Sequence, residues 1–162
     1  MKKYFEHCEE LKFDNHQWRS YFFAEVSALA YHDGTRVKKE LNKIGFKSYK
    51  FLDNNGAQCH IFHNTDHLVI AFRGTEPTQF SDVKADLLAF KRKSKTEGKV
   101  HMGFKIELRK LWDDISGILE KKKSQKIWIT GHSLGGAMAT LCGSRLEERN
   151  PTLYTYGSPR VG

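Results

Sequence analysis

The feature that most constrains the fold is the stretch KIWITGHSLGGAMATL, residues 126–141. Residues 127–130 are apolar, aromatic or β-branched, which predicts a short strand buried on both faces. A glycine-rich turn follows and leads directly into a predicted helix whose first residues are small, so the helix can lie close to the sheet. A doubly covered strand that passes straight into a helix is typical of an α/β protein.

The rest of the chain alternates in the same way. Residues 1–45 have helical periodicity, and the runs KSYKFLD, AQCHIFHNT and HLVIAFRG then predict three strands, with Asn55-Gly56 as a hairpin turn. Apolar residues spaced three and four apart from Phe104 to Leu119 predict a long amphipathic helix, and TLYTYG predicts a last strand. We therefore predict one α/β domain over residues 1–162, with N-terminal helices in 1–45 and a sheet core in 46–162. Its central sheet is expected to be mostly parallel, with helices on both faces.

The turn itself has the pattern Gly-x-Ser-x-Gly, at residues 131–135. A serine in a tight strand-to-helix turn presents its hydroxyl outward, and glycines two residues before and after it leave room for the turn. Ser133 is therefore a candidate nucleophile, and the backbone N–H of Leu134 is a candidate donor to an oxyanion at the helix start. The alternatives are a closely packed turn with no chemical role, or a phosphate loop. The sequence lacks the Gly-Lys-Ser/Thr ending of a phosphate loop.

Basic residues give the chain a formal net charge of +8, much of it in KRKSK at 91–95 and KKKSQK at 121–126. Such runs are typical of solvated loops and of helix C-termini, which we favour here. Transient contact with an anionic membrane or lipid surface is the second interpretation. We expect no nucleic-acid partner, because no nucleic-acid-binding motif accompanies the charge.

Cysteine and histidine use indicates neither disulfides nor metal. The three cysteines are far apart in the sequence, and no spacing matches a structural zinc site. His60, His63 and His67 are expected to be solvated or packed side chains, with a metal site as the less favoured alternative, so we predict no metal and no cofactor. With no apolar leader at the N-terminus, a cytoplasmic location is expected, although export by another route stays open.

Four blocks together give a specific resemblance. VIAFRGT, VHMGF, ITGHSLGGAMATL and YTYGSPRVG, within residues 69–162, resemble the class 3, fungal-type lipase family of α/β-hydrolases in order and spacing. The resemblance implies hydrolysis of lipid or acylglycerol esters through an acyl-enzyme, with Ser133 as the nucleophile. It also implies that Thr75 and Leu134 supply the two oxyanion N–H groups. It does not select a head group or an acyl-chain length.

The resemblance also implies a lid. The segment after the predicted oxyanion loop covers the acyl groove in this family, and residues 76–90 occupy that position. An apolar stripe on this segment suits a lid, and packing on the core is the equal alternative. The lid candidates are Phe80, Val83, Leu87 and Leu88.

The family's acid and base are absent from the sequence after the serine. Residues 134–162 contain neither aspartate nor histidine, and no upstream histidine, such as His63 or His101, is expected to reach Ser133. We therefore expect a partial α/β-hydrolase fold that lacks its last strands, in a fragment or frame-shifted product with little activity of its own. The alternative is a non-catalytic module that binds lipid or a protein partner.

Overall fold

A computed structural model describes residues 3–6, 8, 12–74 and 100–161, except the side chains of residues 100 and 101. In chain order, the elements are α1 (His16–Leu29), α2 (Gly34–Lys43), β1 (Ser48–Asn54), β2 (Ala57–His63), β3 (His67–Phe72), α3 (Val100–Glu120), β4 (Lys126–His132), α4 (Leu134–Arg145), a 3₁₀ turn (Glu147–Arg149) and β5 (Thr152–Tyr156). The predicted helices and strands within these ranges are therefore confirmed.

Local chemistry explains where the first elements begin and end. The side chain of Asn15 accepts from the backbone N–H of Trp18 at the start of α1, and Asp33 caps α2 in the same way through Arg36. That backbone hydrogen bond to the Asp33 carboxylate lowers its pKa. Asn55 and Gly56 both have positive φ, at 49° and 83°, and form the two-residue turn of the β1–β2 hairpin.

The strands form a five-stranded mixed sheet in the order β1-β2-β3-β4-β5. β1 pairs with β2 and β2 with β3 in antiparallel fashion, whereas β3–β4 and β4–β5 are parallel. The parallel pairings are thus half of those described, and the expectation of a mostly parallel sheet overstates them. The connection between β2 and β3 has only three residues, 64–66, which is too short for the crossover that parallel pairing requires.

Helices cover both faces of the sheet, as predicted. Alternating residues of β3 point to opposite sides, with Leu68 and Ile70 in one core cluster and Val69 in the other. The first cluster is closed by α3 and α4, and the second by α1 and α2. β3 is buried at every position from 68 to 72, which is why its sequence is apolar without interruption.

Three parallel strands end at one edge of the sheet. In register, Phe72 of β3 lies beside Gly131 of β4, and His132 of β4 lies beside Tyr156 of β5. The loops that leave these strands therefore meet at this edge, where ligands bind in open α/β sheets. Among the helices that the structure describes, none is long and apolar enough to span a bilayer.

Candidate active site

Ser133 occupies the single position between β4 and α4. Its backbone has φ 55° and ψ −126°, a conformation that costs a non-glycine residue roughly 1–3 kcal/mol. The Ser133 N–H donates to the carbonyl of Tyr156 at 3.0 Å, and its own carbonyl accepts from the Gly136 N–H at 2.9 Å. Both backbone groups are thus fixed, and the hydroxyl makes no capping bond to α4. The surrounding structure holds a strained serine in place.

The two glycines of the motif are required by close approach of the backbone. A Cβ built on Gly131 would lie 2.3 Å from the carbonyl oxygen of Gly135. A Cβ on Gly135 would lie 2.4 Å from the carbonyl oxygen of Phe72, at the end of β3. Real Cβ atoms do not come this close to backbone atoms, so any side chain at either position would displace the turn.

The loop after β3 lies directly against the serine turn. The Cβ position on Gly135 is also 3.0 Å from the Gly74 nitrogen, and a Cβ on Gly74 would lie 2.5 Å from the carbonyl oxygen of His132. Residue 75 follows Gly74 in the chain, so the sequence position predicted to carry the second oxyanion donor is adjacent to this contact. Thr75 itself lies outside the described residues, as do the lid candidates Phe80, Val83, Leu87 and Leu88.

Helix α4 gives this edge of the sheet a positive electrostatic character. Leu134 is its first residue, so its N–H has no acceptor within the helix. The first turn carries no acidic residue, and the twelve-residue helix directs the positive end of its dipole toward Ser133. Ser133 itself is only 4% exposed, so water screens this field weakly. The arrangement favours negative charge beside the serine hydroxyl.

The described histidine side chains are engaged elsewhere. His132 precedes the serine, but its Nδ1 bonds to the hydroxyl of Tyr31 at 2.9 Å. His60 is fully buried between the hydroxyl of Tyr49 and the carbonyl of Ala30, and burial lowers its pKa to about 4. The remaining described rings contact groups away from the turn: His16 with Tyr154, His32 with Tyr4, His63 with Gln125 and His67 with Trp128. The described residues thus contain no histidine bonded to Ser133.

The metal question is limited to the described parts of the chain. Within them, no three His, Cys, Asp or Glu side chains group together as a metal site would require. His63 ends β2 beside Leu68, so it lies at the edge of the sheet opposite Ser133. His101 lies in the first turn of α3, and its side chain is outside the described set.

Tyr31 is a site residue that sequence reasoning missed. It follows α1 and reaches His132 across 101 positions of the chain. Its position in the apolar band ending α1 resembles that of an ordinary core aromatic. No local pattern in the sequence connects it with the serine turn.

The family follows from comparison with known proteins. Residues 69–162, more than half of the chain, match the profile of the family described as lipase (class 3). The chain therefore belongs to the class 3 lipase family. It is 33% identical over 108 residues to a lipase from Rhizopus niveus, in an alignment covering 59% of this chain and 27% of that protein. It is 41% identical over 69 residues to the secreted mono- and diacylglycerol lipase 1 of Fusarium solani, covering 39% of this chain and 21% of that protein.

Solved structures confirm the fold. The triacylglyceride lipase of Rhizomucor miehei superposes with a TM-score of 0.64 at 22% identity, covering 90% of this chain and 64% of that chain. The partial α/β-hydrolase fold predicted from the sequence is thus confirmed. The chain spans about a quarter of the length of the Rhizopus niveus relative, at 27%.

Proposed function

We propose that the full-length protein is a serine carboxylic ester hydrolase that cleaves lipid or acylglycerol esters through an acyl-enzyme. The observation that carries this proposal is the strained backbone of Ser133, at φ 55° and ψ −126°, between a buried strand and a helix N-terminus. Strained residues of this kind cluster at active sites, where the surrounding structure holds them in place. The names of the relatives, a lipase and a mono- and diacylglycerol lipase, support an ester of a fatty acid as the substrate class.

In the proposed reaction, the Ser133 oxygen attacks the ester carbonyl and its proton passes to a histidine base. The tetrahedral oxyanion accepts hydrogen bonds from the N–H groups of Leu134 and Thr75 and then collapses, releasing the alcohol with the proton from the histidine. Water then attacks the acyl-serine by the same route, which releases the fatty acid and restores the serine. This family orders its triad as serine, aspartate, histidine, and residues 134–162 contain neither an aspartate nor a histidine, so the proposed acid and base are not among them.

Lipid contact is proposed to occur at the Ser133 edge. We propose that the lid is formed by residues that follow the Gly74 loop in the sequence, since this loop lies against the serine turn. They are Phe80, Val83, Leu87 and Leu88. The basic run 121–126 links α3 to the start of β4, whereas Ser133 follows its end. Lys126, the last residue of the run, and Ser133 are seven positions apart along β4, or about 23 Å at roughly 3.3 Å per residue. Anionic lipid bound by run 121–126 would therefore meet a different face from the ester substrate.

A cytoplasmic location is also a proposal, and the cysteines support it. Cys8, Cys59 and Cys142 are free and buried, and burial raises the pKa of each thiol. Free thiols are typical of proteins in reducing compartments. Fractionation of cells expressing the full-length protein tests the location, and recovery in the culture medium would contradict it.

Hydrolysis of a soluble p-nitrophenyl ester by the full-length protein tests the function. Ser133→Ala is expected to reduce hydrolysis to the roughly 10³–10⁴-fold acceleration over water that binding and the oxyanion hole supply without a triad. Ser144→Ala is the matched control, because Ser144 is an exposed serine near the C-terminal end of α4, the helix that begins after Ser133. Equal activity of Ser133→Ala and wild type would refute the nucleophile. Absence of hydrolysis by wild type, with vesicle binding retained, would favour the non-catalytic alternative.

A further inference from the structure

One hydroxyl touches both loops that frame Ser133. Tyr31 lies just beyond α1, and its Oη bonds to His132 Nδ1 at 2.9 Å, with the two rings edge-on at 5.9 Å. The same oxygen lies 2.4 Å from the position that a Cβ on Gly74 would take. Tyr31 therefore meets the residue immediately before Ser133 and the residue immediately before Thr75.

Helix α1 is a firm support for this contact. Phe22, Phe23 and Leu29 are at most 1% exposed, and they hold α1 against the sheet. The Ser27 hydroxyl also bonds to the Thr130 hydroxyl at 2.8 Å in the buried interior, which ties α1 to β4 three residues before the serine. The position of a side chain that extends from the end of this helix is thus fixed by the core and does not depend on either loop.

An oxyanion site needs its two loops held at a constant separation, and a side chain fixed to the core can provide this. Two N–H groups from different loops must lie about 2.7–3.1 Å from one oxygen atom, so small relative displacements of the loops weaken both bonds. His132 is exposed, and its ring is bonded to the Tyr31 hydroxyl through Nδ1. The Tyr31 hydroxyl supplies a fixed point between the His132 ring and the backbone of Gly74, which has no side chain of its own.

We propose that Tyr31 is a positioning residue of the serine site, which sets the separation of the Gly74 loop and the Ser133 turn through its hydroxyl. This inference rests on the proposed hydrolase function. Tyr31 takes no part in the bond-making steps. Its effect is expected in kcat, because the oxyanion forms only in the transition state.

Kinetics of the full-length protein test the proposal. Tyr31→Phe keeps the ring and removes the hydroxyl, and it is expected to lower kcat about 10-fold with KM unchanged, less than the ~10²–10³-fold lost with a direct oxyanion donor. Tyr154→Phe is the matched control, since it removes a hydroxyl that bonds α1 to the sheet through Arg19 at 3.0 Å, away from the serine turn. Equal kcat for Tyr31→Phe and wild type overturns the proposal, as does an equal loss in the control.

A double-mutant cycle separates positioning from general destabilisation. If Tyr31 acts through the bond to His132, the pair Tyr31→Phe and His132→Ala should lose no more kcat than the larger single change. Multiplicative losses in the double variant would contradict the shared bond.

A readout independent of hydrolysis keeps the two proposals distinguishable. Amide hydrogen exchange in residues 72–74 and 131–135 should be faster in Tyr31→Phe than in wild type or Tyr154→Phe. If wild type hydrolyses no ester, the hydrolase proposal fails and exchange alone decides the positioning role. Unchanged exchange in both segments would overturn it.

Discussion

Gly135→Ala should affect catalysis more than stability. The added Cβ would lie 2.4 Å from the Phe72 carbonyl oxygen and 3.0 Å from the Arg73 carbonyl carbon and the Gly74 nitrogen. All three are backbone atoms of the β3 edge, so no rotamer change relieves the clash. Restoring even a tight 3.0 Å contact requires a shift of 3.0 − 2.4, or 0.6 Å, between α4 and the β3 loop.

Two opposing effects set the cost in stability. Overpacking of this kind typically costs about 1–3 kcal/mol, whereas replacing a helical glycine by alanine returns up to ~1 kcal/mol. The net loss in the free energy of unfolding is therefore about 0–2 kcal/mol. A 1 Å misplacement in an active site can cost ~10²-fold in rate, so a 0.6 Å shift should lower kcat by roughly 10- to 100-fold.

Thermal unfolding and esterase kinetics of the full-length protein check this prediction. Gly117→Ala is the matched control, because it makes the same change within α3 and its Cβ would meet nothing within 4 Å. That variant should gain about 0.5–1 kcal/mol of stability with unchanged kcat. If kcat of Gly135→Ala stays within about twofold of wild type instead of falling toward the ~10²-fold loss, the close-approach argument is refuted.

Three further predictions concern strain, protonation and a buried hydrogen bond. Ser133→Gly should raise the free energy of unfolding by about 1 kcal/mol while removing activity, because glycine adopts φ 55° without strain; lower stability than wild type would contradict this. Burial lowers the pKa of His60 from 6.5 to about 4, so the unfolded chain binds the proton more tightly. The free energy of unfolding that neutral His60 contributes is therefore fully present above pH 6.5 and is lost as the pH falls toward 4. We expect a loss of roughly 3 kcal/mol, measured by urea unfolding at each pH. The same pH dependence in His60→Gln would show that another group is responsible. Thr130→Val should cost about 1–3 kcal/mol, because the buried Ser27 hydroxyl and the Tyr154 carbonyl lose their partner at 2.8 Å; an unchanged melting temperature would count against it.

The features predictable from the sequence are those whose causes are local. The centres of β3 and β4 are covered on both faces, and the apolar runs at 68–72 and 127–129 therefore predict their burial. The serine turn is likewise specified within five residues. Gly131 and Gly135 are required because a Cβ on either would clash with the backbone of the turn itself or of the adjoining strand. The antiparallel half of the sheet was within reach too, since the short 64–66 connection excludes a crossover.

Features that depend on distant residues could not be predicted in this way. The contact of Tyr31 with His132 joins positions 101 apart, and it exists because α1 packs across β4. The role of Thr75 comes from a family resemblance and stays a prediction, because only the preceding residue Gly74 is described. Burial of His60 depends on Tyr49 of β1 and on Ala30, the residue after α1, and no periodicity in the sequence predicts that these three residues meet.

Identification of the residue that reacts with a fluorophosphonate tests the central claim most directly. Trypsin should release residues 127–145 as one peptide, because Lys126 and Arg145 flank it and no lysine or arginine lies between. This peptide contains both Ser133 and the control Ser144. Fragmentation of the peptide from the labelled full-length protein should locate the phosphonyl group on Ser133, with none on Ser144. A phosphonyl group found on another residue, or its complete absence from this peptide, would contradict Ser133 as the nucleophile.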